Sequence, residues 1–282
     1  MLQRLHCVYL KGMRIMHRTF AALSLGIVLS GTCVAVRAEE TLVQAELRNG
    51  WQTRSGTQMS GLHLQLAPGW KTYWRAPGDA GIPPTFDWSG SRNVQSVRVH
   101  WPAPHVFTLN GLRSIGYTGD VVLPVEVTPR DGAKPVHLVG KIALGVCKDI
   151  CVPSEVLVDV ALETPGAADA TIRAALDAVP MTGAAAGLTM AQCQVEPIAD
   201  GLRLRVELDL PATGGQEVVV IEPSEPEVWV SEADVQRKGG RLIAVSEMVD
   251  PSGTPFVLDR GAVTLTVLGA DRAVEVKGCT GG

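Results

Sequence analysis

Four cysteines hold the most reactive chemistry that the sequence offers. Of the six in the chain, Cys7 and Cys33 fall in the amino-terminal leader described below, which leaves Cys147, Cys151, Cys193 and Cys279. An even count in an exported chain predicts two disulfides, with three possible pairings, and the spacing favours Cys147–Cys151 and Cys193–Cys279. In the first pair, Lys148, Asp149 and Ile150 separate the cysteines as a hairpin loop between two strand-like runs. Residues flanking such a loop face each other across the ladder, about 5.5 Å apart at Cα, which suits a disulfide.

Magnitudes separate the two pairs. In the loop-entropy picture the short loop contributes about 2 kcal/mol, whereas the long loop from Cys193 to Cys279 contributes about 4.5 kcal/mol. The long bridge, expected between the first and last strands of the second half, is therefore read as a structural staple. A bridge in an exposed turn that contributes little to stability suits reversible thiol–disulfide exchange, with a plain hairpin staple as the alternative. Lys148 favours a thiolate there and Asp149 opposes it. A Cu(I) site is a further alternative, because soft thiolates suit that ion. His63, His100, His105 and His137 show no ligand spacing, so neither a dedicated metal site nor a cofactor is expected. No nucleophile elbow or phosphate-binding glycine loop is present either.

The leader sets the redox compartment. Arg14, His17 and Arg18 precede the apolar run Phe20–Leu29, and Val36-Arg37-Ala38 closes it with small residues. This pattern predicts a signal peptide over residues 1–38, cleaved after Ala38 and releasing a soluble periplasmic chain with no membrane insertion. The run is shorter than the ~20 residues a membrane span needs. The formal charge of −4 becomes more negative once the leader's Arg4, Lys11, Arg14, Arg18 and Arg37 are removed. Such a surface argues against nucleic acid as a partner.

Stepping from the cysteines to the elements that carry them, short alternating runs broken by Pro and Gly fill residues 39–165. Examples are Val94–Trp101, Val121–Thr128, Val136–Gly145 and Val152–Leu162. Period-two alternation at this spacing predicts a β-sandwich. Ala167–Val179 has Ile172, Leu176 and Val179 at helical spacing before Pro180, giving a short helix within a linker over 166–187. Strands resume over 188–282, with a helical turn expected at Val230–Gln236. The fold expected is all-β: two sandwich domains joined by one short helix. Nine of the eleven aromatics beyond the leader precede that helix, and most are expected in the first core. Trp70, Tyr73 and Trp74 crowd a Pro/Gly-rich segment and cannot all share one strand face. They are the candidates to shield the Cys147–Cys151 pair.

Three motifs in order then resemble a known family. GWKTYWRAPGDAGIPPTFDW (Gly69–Trp88), GYTGDVVLPVEV (Gly116–Val127) and GVCKDICVPSE (Gly145–Glu155) are similar to the periplasmic N-terminal domain of the thiol:disulfide interchange protein DsbD. The ScsB branch, named for suppression of copper sensitivity, is the nearer match because of its shorter cysteine loop. The resemblance implies an immunoglobulin-like sandwich whose cysteine pair, here Cys147 and Cys151, passes electrons to oxidised periplasmic proteins. By the same resemblance Cys151 is the attacking cysteine. Thioredoxin-like partners and roles in cytochrome c maturation or copper tolerance follow from it as expectations. No membrane helices or thioredoxin-like CxxC follow the second half, so a separate membrane thiol reductase is the expected electron donor. The contrasting reading is a non-catalytic binding module with an aromatic groove and two structural disulfides.

Overall fold

The computed structural model describes residues 41–79, 81–109, 111–225 and 227–282. The signal-peptide reading of residues 1–38 lies outside them. Over these described residues the fold is nearly all β, as expected, with four sheets stacked as two pairs and one helix between the pairs in sequence.

The first pair is built from ten strands. These are β1 (Val43–Gln52), β2 (Gln58–Leu66), β3 (Lys71–Tyr73), β4 (Thr85–Asp87) and β5 (Val94–Val99). They continue with β6 (His105–Leu109), β7 (Leu112–Thr118), β8 (Asp120–Pro129), β9 (Val136–Cys147) and β10 (Cys151–Leu162). One sheet runs β1-β2-β8-β5 and the other β10-β9-β3-β7-β6, with β4 also paired to β9. Leu62, Leu123 and Val125 from the first sheet meet Leu138, Ile142 and Val146 from the second in one buried cluster. Alternation supplies this core: along β9, Val136, Leu138, Ile142, Leu144 and Val146 turn inward while the intervening positions face out. This is the immunoglobulin-like sandwich that the sequence implies.

The helix α1 (Ala170–Asp177) begins where Asp169 caps it, its carboxylate accepting from the amides of Thr171 at 2.7 Å and Ile172 at 3.0 Å. Ile172 is fully buried against Met59 and Val122, so the helix covers the outer face of β2 and β8. That cover explains why β2 is buried on both faces rather than alternating.

The second pair contains β11 (Met181–Thr182), β12 (Met190–Pro197), β13 (Leu202–Asp209), β14 (Val218–Glu222) and β15 (Trp229–Val230). It ends with β16 (Asp234–Lys238), β17 (Arg241–Val249), β18 (Thr264–Leu268), β19 (Ala273–Lys277) and β20 (Thr280–Gly281). The sheets run β11-β19-β18-β14 and β15-β17-β13-β12-β20, with β16 also on β17. One expectation needs correction here. Val230–Gln236 forms no helical turn: β15 and β16 both pair with β17, and the ladder satisfies the backbone groups that a helical turn would have bonded internally. Val218, Leu268 and Ala273 of this pair join the cluster of the first pair, so the two pairs share an apolar seam.

Candidate functional site

The geometry is set by the β9–β10 hairpin. Cys147 is the last residue of β9 and Cys151 the first of β10, and they are cross-strand partners. Their Cα atoms are 4.1 Å apart and their sulfurs are bonded. This spacing is close to the ~4.5 Å of the narrow antiparallel pair rather than the wide one. Within the loop the Lys148 amide donates to the Ile150 carbonyl at 3.0 Å, closing the turn. The two sulfurs see different surroundings. Cys147 retains only 2% of its surface, whereas Cys151 is exposed, and Ile150 beside it is 67% exposed.

The residue that buries Cys147 is Tyr73. Strand β3 lies beside β9, with Lys71 opposite Cys147 and Thr72 opposite Val146. Tyr73 then leans over the outer face of the sheet, and its hydroxyl donates to Cys147 Sγ at 3.0 Å while lying 3.2 Å from Cys151 Sγ. One phenol thus spans both sulfurs. The ring fits because two neighbours have no side chain. A Cβ on Gly145 would sit 3.1 Å from the ring carbons Cδ2 and Cε2, and one on Gly81 would sit 2.9 Å from Cδ1. Ile82 closes in from the same segment, its Cβ 3.0 Å from the same Gly145 position. Burial pushes the Tyr73 phenol above its ordinary pKa, so it stays a protonated donor in neutral solution.

Lys71 lines the neighbouring surface. Its ammonium donates to Ser114 Oγ at 2.8 Å and lies 5.2 Å from the centre of the Phe107 ring and 5.9 Å from that of Tyr73. Burial lowers its pKa. The β6–β7 hairpin therefore contributes Phe107 and Ser114 to the flank of the site.

The three candidate shielding aromatics separate. Tyr73 reaches the sulfurs. Trp74, next in the chain, turns the other way and is fully buried in the core cluster, with the Arg75 guanidinium 4.3 Å above its ring. Trp70 is partly buried against that same core. Sequence reasoning did not single out Gly145, Gly81, Ile82 or Lys71. The available signal was Gly145 itself, a glycine on the outward face of a strand two residues before a cysteine, which marks close approach by another group.

Cys193 and Cys279 form the second bridge, with Cα atoms 5.6 Å apart. Cys193 sits in β12 with no exposed surface. Cys279 lies between β19 and β20, where the chain crosses from one sheet to the other, one step before the final strand. Among the described residues, no group of three or more His, Cys, Asp or Glu side chains is placed to hold a metal ion, and no helix is long and apolar enough to cross a membrane.

An immunoglobulin-like sheet pair with a tyrosine-capped disulfide at a hairpin end defines a cysteine-bearing sandwich domain. Residues 39–162 match the family described as Thiol:disulfide interchange protein DsbD, N-terminal, so this segment is similar to domains related to thiol–disulfide exchange. The N-terminal periplasmic domain of ScsB from Proteus mirabilis is similar at 24% identity and a TM-score of 0.62, covering 85% of this chain and 92% of that one. That coverage extends the likeness in fold over both sheet pairs. A protein of unknown function from Porphyromonas gingivalis W83 covers 84% of this chain and 100% of its own, at 11% identity and a TM-score of 0.21, too slight to carry an argument. No curated protein matches the sequence.

Proposed function

We propose that the chain is a periplasmic thiol–disulfide exchange protein, exported by a leader over residues 1–38. In this reading the domain over 39–165 carries the exchanging pair Cys147–Cys151. The linker 166–187, whose Met181–Thr182 strand already pairs with β19, joins it to a second domain over 188–282, which the Cys193–Cys279 bridge staples. The observation that supports this reading is the asymmetry of the first bridge, with Cys147 buried under Tyr73 and Cys151 an exposed residue at the start of β10.

The chemistry follows from that asymmetry. In the reduced protein the exposed Cys151 thiolate attacks a sulfur of a client disulfide, forming a mixed disulfide and releasing the client's other sulfur as a thiolate. Cys147, held one hairpin loop away, then attacks Cys151 Sγ, re-forms the internal bridge and expels the client's remaining thiolate. Two electrons pass to the client, whose two thiolates take up two protons. The Tyr73 hydroxyl, donating to the buried sulfur, stabilises Cys147 as the thiolate that completes the second step. It also shields that sulfur from stray oxidants. Thioredoxin-like periplasmic proteins are the clients this suits, and a separate membrane thiol reductase reloads the pair. Cytochrome c assembly and copper tolerance are processes that consume such electrons.

A redox titration tests the reading. Cys147–Cys151 is expected to be reduced well above the roughly −300 mV at which structural bridges sit, and Cys147→Ser is expected to trap a mixed disulfide with a thioredoxin-like protein through Cys151. A Cys147–Cys151 couple below that potential, with no trapped adduct, leaves a binding module with two structural bridges.

A further inference from the structure

A groove of about 690 Å³ runs between the two sheet pairs. Its floor is an ion-pair network. The Arg75 guanidinium donates to both carboxylate oxygens of Glu222 at 2.9 Å and to Glu275 at 2.8 Å. Burial alone would lower the Arg75 pKa, but the two carboxylates outweigh it and raise it, so the cation is fixed. Pro77, Gly78, Asp79 and Gly81 also line the groove, and Gly81 packs against the Tyr73 ring.

One wall is an open strand edge. β14 is the terminal strand of its sheet and pairs with β18 alone. All five of its residues, Val218 to Glu222, line the groove, as does Trp229, which is 45% exposed. A terminal strand presents a row of N–H and C=O groups ready to bond an added strand.

The charge left over in the groove is negative. Arg75 is committed to Glu222 and Glu275, and Arg113 to Glu232 at 3.5 Å. Glu225 Oε2 is buried without a hydrogen-bond partner, and Glu227 and Asp79 are exposed on the rim. An apolar strand edge with uncompensated carboxylates is complementary to an extended segment that alternates apolar residues with Lys or Arg.

We infer that this groove docks an extended cationic segment of a client protein by strand addition to β14, beside the segment that holds Tyr73. The inference deepens the exchange reading by giving the client a seat, and its test silences the cysteines so that the two readings fail separately. The Cys147→Ser/Cys151→Ser double variant is titrated with a short fluorescein-labelled peptide alternating Lys with Val, and with its Glu-for-Lys counterpart, by fluorescence anisotropy. Saturable binding of the Lys peptide alone is expected. It should weaken at least about tenfold when Glu225→Lys and Glu227→Lys are added, since tenfold is the change expected on losing about 1.4 kcal/mol of charge pairing, and it should weaken with salt. Amide hydrogen exchange over Val218–Glu222 should slow in the complex. Absence of saturable binding, equal binding of the Glu peptide, or no response to charge reversal overturns the inference. Binding without protection of Val218–Glu222 overturns strand addition. Intact peptide binding in a chain whose wild-type cysteines exchange with nothing would sink the exchange reading alone.

Discussion

The two disulfides of this chain set the same bond in opposite surroundings. Cys193–Cys279 closes a loop with a sequence separation of 86 and begins at Cys193, a residue with no exposed surface. Cys147–Cys151 closes a separation of 4 and joins a buried cysteine to an exposed one. The first removes much of the disorder of the unfolded second half, at the point where the chain crosses between sheets. The second constrains almost nothing that the hairpin does not already constrain. What it has instead is a neighbour, the Tyr73 hydroxyl within hydrogen-bonding reach of both sulfurs. A bridge is read as structural or exchangeable from its loop and its surroundings together.

The largest effect that sharpens this contrast is the loss of each bridge. Replacing Cys193 and Cys279 by Ser is expected to cost about 4.5 kcal/mol, against about 2 kcal/mol for Cys147 and Cys151. Urea unfolding followed by Trp fluorescence measures both. Equal losses would erase the structural distinction between the bridges.

Next in size is Gly145→Ala. The added methyl meets the Tyr73 ring at 3.1 Å and Ile82 at 3.0 Å, and overpacking of this kind costs about 1–3 kcal/mol. With the ring displaced, Cys147 loses its cover, so reduction of Cys147–Cys151 by dithiothreitol should speed up while Cys193–Cys279 is untouched. A destabilised protein with an unaltered reduction rate would show that the ring is not what guards the sulfur.

Tyr73→Phe is gentler. It keeps the buried ring and removes only the hydroxyl, costing about 1 kcal/mol of stability. Its larger readout is the reduced pair: the thiolate loses a donor, so the Cys147 thiol titrates at higher pH than in the wild type. Absorbance at 240 nm follows the thiolate, taking that wavelength as a conventional choice.

The smallest effect comes from alkali. Burial raises the phenols of both Tyr73 and Tyr117 above the ordinary value of 10.0. Their contribution to stability is whole below that pH. It is lost as the unfolded tyrosines begin to ionise while the folded ones still hold their protons. Thermal unfolding across pH 9 to 11, a range set about that ordinary value, should show a declining midpoint. Tyr73→Phe should remove part of the decline. A midpoint independent of pH there would mean that Tyr73 ionises as easily in the folded protein as in the unfolded one.

Much of this was legible in the residues. The alternation of Val136–Gly145 and Val152–Leu162 predicts two strands, and the three residues between Cys147 and Cys151 favour a hairpin with facing cysteines, as the register has it. Ile172, Leu176 and Val179 at helical spacing ahead of Pro180 mark a helix, which runs over Ala170–Asp177. These are local rules, acting over a few residues and indifferent to what lies beyond them. Val230–Gln236 shows where local rules stop: its backbone bonds go to β17, and that partner is distant in sequence.

The choice among Trp70, Tyr73 and Trp74 was of the second kind. Alternation says that neighbours face opposite ways, but which faces the core depends on the register of β3 against β9, a contact across more than seventy residues. Only the folded sheet set Tyr73 over Gly145 and turned Trp74 inward. The groove beside β14 belongs to the same category, since it joins residues near Arg75 to residues near Glu222. Sequence by itself determined the alternating strands, the short helix and the proximity of the cysteines, because each follows from backbone geometry within one element or one hairpin. Tertiary structure decided which side chain guards the sulfur and which strand edge stays open, because both depend on pairings between segments that local chemistry does not specify.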